Sequence, residues 1–160
     1  VRKALMALAA MAAVACGGST ASTSATPSST SSPSAAAVTG PATIAVATND
    51  KLGKILVDGS GKTLYLFAKD TGSASTCYGG CATYWPPVLT DGAPRAGAGV
   101  NASLLGTTKR TDGTTEVTYG GHPLYYVVTD HNPGDATGQA VTNFGAAWYV
   151  VGPDGNKIQS

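Results

Sequence analysis

An all-β fold, mostly antiparallel and built from two pseudo-repeats, is what this sequence predicts, and three observations predict it. From Thr43 onward, short runs rich in Val, Ile, Leu, Thr and Tyr alternate with clusters of Gly, Asp, Asn and Pro, the signature of strands separated by turns. After residue 40 no long stretch carries helical periodicity. The third observation is an internal repeat. Gly61, Leu64, Tyr65 and Asp70 recur as Gly121, Leu124, Tyr125 and Asp130 at an offset of 60, and Trp85, Val88, Asp91 and Gly92 recur as Trp148, Val151, Asp154 and Gly155 at an offset of 63. A three-residue difference in the intervening loop reconciles the two registers. Each unit alone leaves an apolar face open, so packing the two together closes one core.

The elements follow in order. Ile44 and Val46 alternate with Thr43, Ala45 and Ala47, as in a first strand. Lys54 to Val57 and Thr63 to Ala68 flank Asp58, Gly59, Ser60 and Gly61, a hairpin signal. A second hairpin pairs Thr115 to Tyr119 with Leu124 to Val128, turning at Gly120 and Gly121, with Pro123 opening its second strand. Trp148 to Val151 is a further strand, followed by a turn at Pro153, Asp154 and Gly155. Leu64 to Ala68 and Leu124 to Val128 present apolar groups to both faces, which predicts central strands covered on both sides. Trp85 and Trp148 are expected to be core anchors, each worth up to roughly 4 to 6 kcal/mol when fully buried.

Ahead of this domain the chain reads as export machinery. Arg2 and Lys3 form a positive n-region and Ala4 to Ala15 an apolar run too short to span a bilayer, the pattern of a secretory signal peptide. Ala13, Val14 and Ala15 before Cys16, with Gly17 and Gly18 after it, resemble a bacterial lipoprotein signal, in which the cysteine is lipidated and becomes the mature N-terminus. Gly17 to Gly40 holds no charge and no aromatic, and little besides Ser, Thr, Ala, Gly and Pro, and is expected to be a flexible tether with a reach of roughly 25 to 30 Å. The expected organisation is thus signal peptide 1–15, lipidated N-terminus and tether 16–40, and β domain 41–160, with repeat one about 54–92 and repeat two about 115–155.

Composition narrows the function classes. Of 10 Lys and Arg against 9 Asp and Glu, Arg2 and Lys3 leave with the signal, so the mature chain is formally −1 and nothing favours nucleic acid. With Cys16 taken by lipid, Cys77 and Cys81 remain as an even pair, expected to be a disulfide outside the membrane. A ring that small stabilises by only about 2 kcal/mol and pins a local corner.

Tyr65, Leu66, Phe67, Ala68, Lys69 and Asp70 fit the pattern Y-x-[FWY]-x-x-D. With Cys77, Cys81, Ala82, Trp85, Pro86 and Pro87, and with Trp148 and Tyr149 in the second unit, the chain resembles the bacterial family of predicted lipoproteins and secreted repeats named for that motif. The second unit departs from it, carrying Val127 where an aromatic is expected and no cysteine pair. The resemblance implies an envelope location and this fold, and no particular activity.

Each candidate residue has a structural role that competes with a functional one. Asp70 and Asp130 follow strands and precede loops, where a carboxyl accepts loop N–H bonds, and the competing reading is a pair of pseudo-symmetric binding sites. Tyr65, Phe67, Asp70, Trp85, Tyr125, Asp130 and Trp148 are the binding candidates, with packing as the alternative role for the aromatics. His122 and His131 neighbour turns and are expected to face solvent. Asp130, His131, Asn132 and Asp135 offer ligands but lack calcium-loop spacing, so no metal is expected. No C-x-x-C-H, no C-x-x-C and no G-x-S-x-G occurs, and Glu116 is the only glutamate. The expectation is a non-catalytic, membrane-anchored envelope protein on the extracytoplasmic face, without cofactor, whose partners are the membrane and an envelope protein or small ligand. A redox or metal-associated accessory and a hydrolase are the alternatives.

Overall fold

The computed structural model describes residues 39–159. The signal peptide, Cys16 and nearly all of the tether lie outside them. The described chain is almost all β: β1 (Thr43–Asn49), β2 (Gly53–Asp58), β3 (Tyr65–Phe67), β4 (Arg95–Ala96), β5 (Leu105–Lys109), β6 (Thr115–Tyr119), β7 (His122–Pro123), β8 (Thr142–Asn143) and β9 (Ala146–Val150). One short helix, α1 (Gly80–Tyr84), and a single 3-10 turn at Ala102–Leu104 complete it.

These strands make three small sheets in the orders β2-β1-β4, β3-β9-β8 and β5-β6-β7. All pairings are antiparallel except β1 with β4. The predicted hairpins form, though as looser structures than two full ladders. Beyond β2 the first is held by the Leu64 amide donating to the Leu56 carbonyl at 3.0 Å, and its turn by Asp58, whose Oδ1 accepts from the Ser60 and Lys62 amides. Gly61 closes that turn at φ +88°, a region that disfavours any side chain. In the second, Leu124 donates to Val117 at 3.0 Å, but Leu124 to Val128 forms no regular strand.

The two units are not separate bodies packed side by side. They interlock about an approximate two-fold axis between Tyr65 and Tyr125, whose backbones exchange two hydrogen bonds of 2.9 Å. Around it, the C-terminal segment of each unit pairs with the hairpin of the other. Val151 bonds to Leu56 and Leu64, while Val88 bonds in the same pattern to Val117 and Leu124. β3 pairs with β9, and the matching contact in the other half is an isolated bridge from Pro87 to Tyr125. Pro86 and Pro87 cannot donate to a ladder, which explains why that copy is not a regular strand.

Because the central strands carry apolar side chains on both faces, the fold has two cores. Ile55, Val57, Tyr65, Phe67, Trp85, Tyr125, Val127, Trp148 and Val150 fill an aromatic-rich one. Ile44, Leu56, Leu64, Leu66, Val88, Val117, Tyr119, Leu124 and Val151 fill the other.

Candidate functional site

The motif residues meet at the interlock. The Tyr65 hydroxyl donates to Asp130 Oδ2 at 2.6 Å, and the Tyr125 hydroxyl donates to Asp70 Oδ2 at 2.5 Å, so each tyrosine reaches the aspartate of the opposite repeat. The other oxygen of each carboxyl closes its own loop. Asp70 Oδ1 accepts from the Thr76 amide and hydroxyl, and Asp130 Oδ1 from those of Thr137. The span of six or seven residues is longer than an Asx turn and organises a whole loop. Burial, reinforced by the facing carboxyl, pushes both phenols well above the usual tyrosine range, so each O–H stays a donor.

Beneath this clasp lies a stack of rings. Trp85 and Trp148 are parallel at 4.0 Å, and Phe67 covers the indole of Trp148, also at 4.0 Å. Tyr65 meets Trp85 edge-on at 5.4 Å and Tyr125 meets Trp148 at 5.1 Å, the same contact on both sides of the axis. The Trp148 indole N–H donates to the Asn143 carbonyl, while that of Trp85 is buried without a partner. Gly138 seals the pocket. A Cβ there would come within 2.6 Å of Trp85 and 2.8 Å of Tyr65.

All seven binding candidates are therefore interior side chains, with Asp130, at 7 %, the most exposed of them. They contact each other and their own loops. Cys77 and Cys81 are joined by a disulfide with Cα atoms 5.2 Å apart, and both belong to the aromatic core. That burial limits the access of an attacking thiolate.

One buried polar cluster extends from the clasp. Arg110 donates to Glu116 Oε2 at 2.6 Å, to Ser75 Oγ at 2.8 Å and to the Cys77 carbonyl at 2.7 Å, and the Ser75 hydroxyl in turn donates to the Tyr125 hydroxyl oxygen at 2.7 Å. Both members of the ion pair are almost fully buried, and Glu116 Oε1 has no partner. Burial pushes Glu116 up to about 7, with Arg110 pulling it only part of the way back. For Arg110 the opposing pull of burial is outweighed by Glu116 and Asp112, which hold it above its ordinary value. Tyr78 lies under the guanidinium at 4.4 Å. Sequence reasoning missed Arg110 and Ser75, because neither sits in a motif. The available signal was Glu116, a lone glutamate in a β-rich run.

Among surface features, one groove measures about 570 Å³ and is lined by Asp58, Lys62, Pro86, Tyr126, Val128 and His131, with one edge of Asp130. The Tyr126 hydroxyl donates to Asp58 Oδ2 at 3.1 Å, and burial beside that carboxyl pushes the phenol up. Val128 is 45 % exposed there, an apolar patch beside charges of both signs. His131 is exposed, as expected of it, whereas His122 is half-buried with Nδ1 unpartnered, a correction that follows from its pairing with Tyr119. Asp135 accepts from the amides of His131 and Asn132 and so closes its own loop. No group of three or more His, Cys, Asp or Glu is placed to hold a metal among the described residues. Among the same residues no helix is long and apolar enough to cross a membrane.

Comparison with known proteins gives one match. A family model described as a secreted repeat of unknown function matches twice, over residues 46–89 and 106–152. Both matches begin ahead of the sequence-derived repeats, taking in most of β1 and β5. No curated protein and no solved structure matches the chain. With two matched copies spanning more than half its length and meeting at the motif residues, the chain belongs to this family of secreted repeats.

Proposed function

We propose that the protein is a lipid-anchored component of the bacterial cell envelope, in which Cys16 carries the acyl chain, residues 16–40 act as a tether and the β domain is a non-catalytic binding or structural head. The observation that carries the head's role is the reciprocal clasp. Tyr65, Asp70, Tyr125 and Asp130 are bonded to one another and to their own loops, so the family motif is explained by rigidity. Trp85 and Trp148 are likewise stacked inside. What such a head offers to a partner is its surface, where the groove beside Tyr126, Val128 and His131 supplies apolar and polar contacts together. Export is supported by the family's description as secreted. The signal-like run ending at Cys16 supports the anchor.

The experiment is intact-mass analysis of the membrane-fraction protein, paired with Cys16→Ala and with turnover assays on the purified head. Acylation of the wild-type N-terminus, its loss in the variant and no turnover are the expected results. An unmodified Cys16 thiol on a cytosolic protein, or robust turnover of a defined substrate, contradicts the proposal.

A further inference from the structure

The two halves treat their outer sheet edges differently. In the first half both edges of β1 are occupied. β2 takes one, and on the other the Arg95 amide donates to Ala42, Gly97 donates to Ile44 at 2.6 Å and Val46 donates to Ala98 at 2.9 Å. In the second half β5 stands where β1 stands. Leu105 and Thr107 pair with Tyr119 and Val117 as Ile44 and Val46 pair with Asp58 and Leu56.

The Gly120 amide donates to Leu104 and the Arg110 amide to Thr114, so Leu104, Gly106, Thr108 and Arg110 turn their backbone toward β6. Leu105, Thr107 and Lys109 turn theirs outward; the Leu105 amide is taken up by the Ala102 carbonyl, and among the described residues no hydrogen bond meets the Leu105 carbonyl or the backbone of Thr107 and Lys109. The cause is a departure from symmetry. After Asp91 and Gly92 the chain runs out across β1, whereas after Asp154 and Gly155 it folds back, with Lys157 bridging Val151 and Ile158 donating to Val150.

Alongside this edge runs a groove of about 240 Å³ between Pro94 and Ala96 on one wall and Ala102, Leu105 and Thr107 on the other. Its walls are short side chains. Arg95 lies in sequence between two of the lining residues and Lys109 two residues beyond Thr107; both are exposed, Lys109 Nζ donates to Thr115 Oγ1 at 2.7 Å, and among the described residues neither is in an ion pair. The strand already seated on β1 shows what such an edge accepts. It carries Gly97, where a Cβ would lie 2.9 Å from the Ile44 carbonyl and 3.1 Å from Ala45 Cβ.

We propose that the open edge of β5 takes up an extended segment of a partner polypeptide by strand addition, with small side chains over the groove and a carboxylate beside Lys109. The charge argument selects a partner over a second copy. Two β5 strands paired edge to edge would gather two Lys109 and two Arg95 side chains on one seam, an arrangement that disfavours association. The inference rests on the binding reading of the head. Its test reads neither lipidation nor turnover, so each can fail without the other.

The test titrates isotope-labelled full chain with the synthetic peptide Ala-Gly-Ala-Gly-Val-Asp and with the same peptide ending in Lys, following amide shifts and hydrogen exchange. Saturable binding, slowed exchange at the Thr107 and Lys109 amides, and weaker binding of the Lys peptide by about fivefold or more are expected. Thr107→Pro removes only an outward N–H and weakens binding by about fivefold or more. If that variant does not fold, N-methylating the peptide amide that faces β5 removes a hydrogen bond of the same ladder, with the same expected loss. Absent saturation or equal affinity for both peptides overturns the proposal. So does protection of Thr107 and Lys109 in peptide-free protein, whether concentration-independent, from the chain's own residues, or concentration-dependent, from a second copy.

Discussion

The half centred on Tyr65 and the half centred on Tyr125 share the residues that hold them to each other and differ in those that close each half against water. On the shared side stand the two tyrosine–aspartate bonds, the edge-on tyrosine–tryptophan contacts and the matched bonds of Val88 and Val151. On the other side, the first half closes with α1 and the disulfide, tied at Ser75 and Cys77 to the Arg110–Glu116 pair of the second, and the second closes with the β8–β9 hairpin around Asn143. Phe67 stacks on Trp148, but its counterpart at 127 is valine, and Trp85 also lacks the indole bond that Trp148 makes. The lesson is that recurrence marks contacts between the copies, while divergence marks what each copy does with its own periphery.

The largest way to break that comparison is truncation of the shared stack. Trp148→Ala removes contacts to Phe67, Trp85 and Tyr125 together and should cost about 3 to 5 kcal/mol by chemical denaturation, more than Trp85→Ala, because Trp148 alone of the two stacks on Phe67 and bonds to Asn143.

Next is the asymmetric polar cluster. Because Glu116 is raised from 4.5 to about 7 in the fold, the folded state favours the protonated carboxyl. Its contribution is fully present below pH 4.5 and is lost as pH rises to about 7, a change on the order of 3 kcal/mol. Glu116→Gln should flatten that segment of a stability–pH curve.

Removing one hydroxyl at a time probes the clasp itself. Tyr65→Phe and Tyr125→Phe should each cost about 1 to 3 kcal/mol in thermal or denaturant unfolding, since a buried carboxyl oxygen loses its donor. Tyr125→Phe should be the worse, because that hydroxyl also accepts from Ser75, whose buried O–H would lose its partner. Smallest is the disulfide, whose reduction should lower stability by about 2 kcal/mol without unfolding the domain. That loss should be confined to the first half in hydrogen exchange.

The sequence made the strands, the turn at Asp58 to Gly61, the two-copy organisation and the burial of both tryptophans legible, because alternation, turn chemistry and recurrence are local signals. Leu64 to Phe67 carried apolar groups on both faces, and both faces are covered. The crossing of the copies was not legible. Nothing at Asp70 indicates that its tyrosine partner lies 55 residues away rather than five, since the bond depends on which hairpin the Val151 segment joins. The helix at Gly80–Tyr84 and strand β4 escaped for a different reason: both are short, glycine-flanked and shaped by neighbours more than by propensity. Arg110 was invisible because a lone arginine in a loop normally faces water, and only the ion pair with Glu116 brings it inside.

Reciprocal interlocking is the claim on which the rest depends, and a pair of double-mutant cycles tests it most directly. Tyr65→Phe is combined with Asp130→Asn in one cycle and with Asp70→Asn in the other, each read by denaturant unfolding. A coupling of about 1 to 2 kcal/mol between Tyr65 and Asp130, with Tyr65 and Asp70 additive to within about 0.5 kcal/mol, is the predicted result. Coupling of Tyr65 to Asp70 in its own repeat, with none to Asp130, would contradict it.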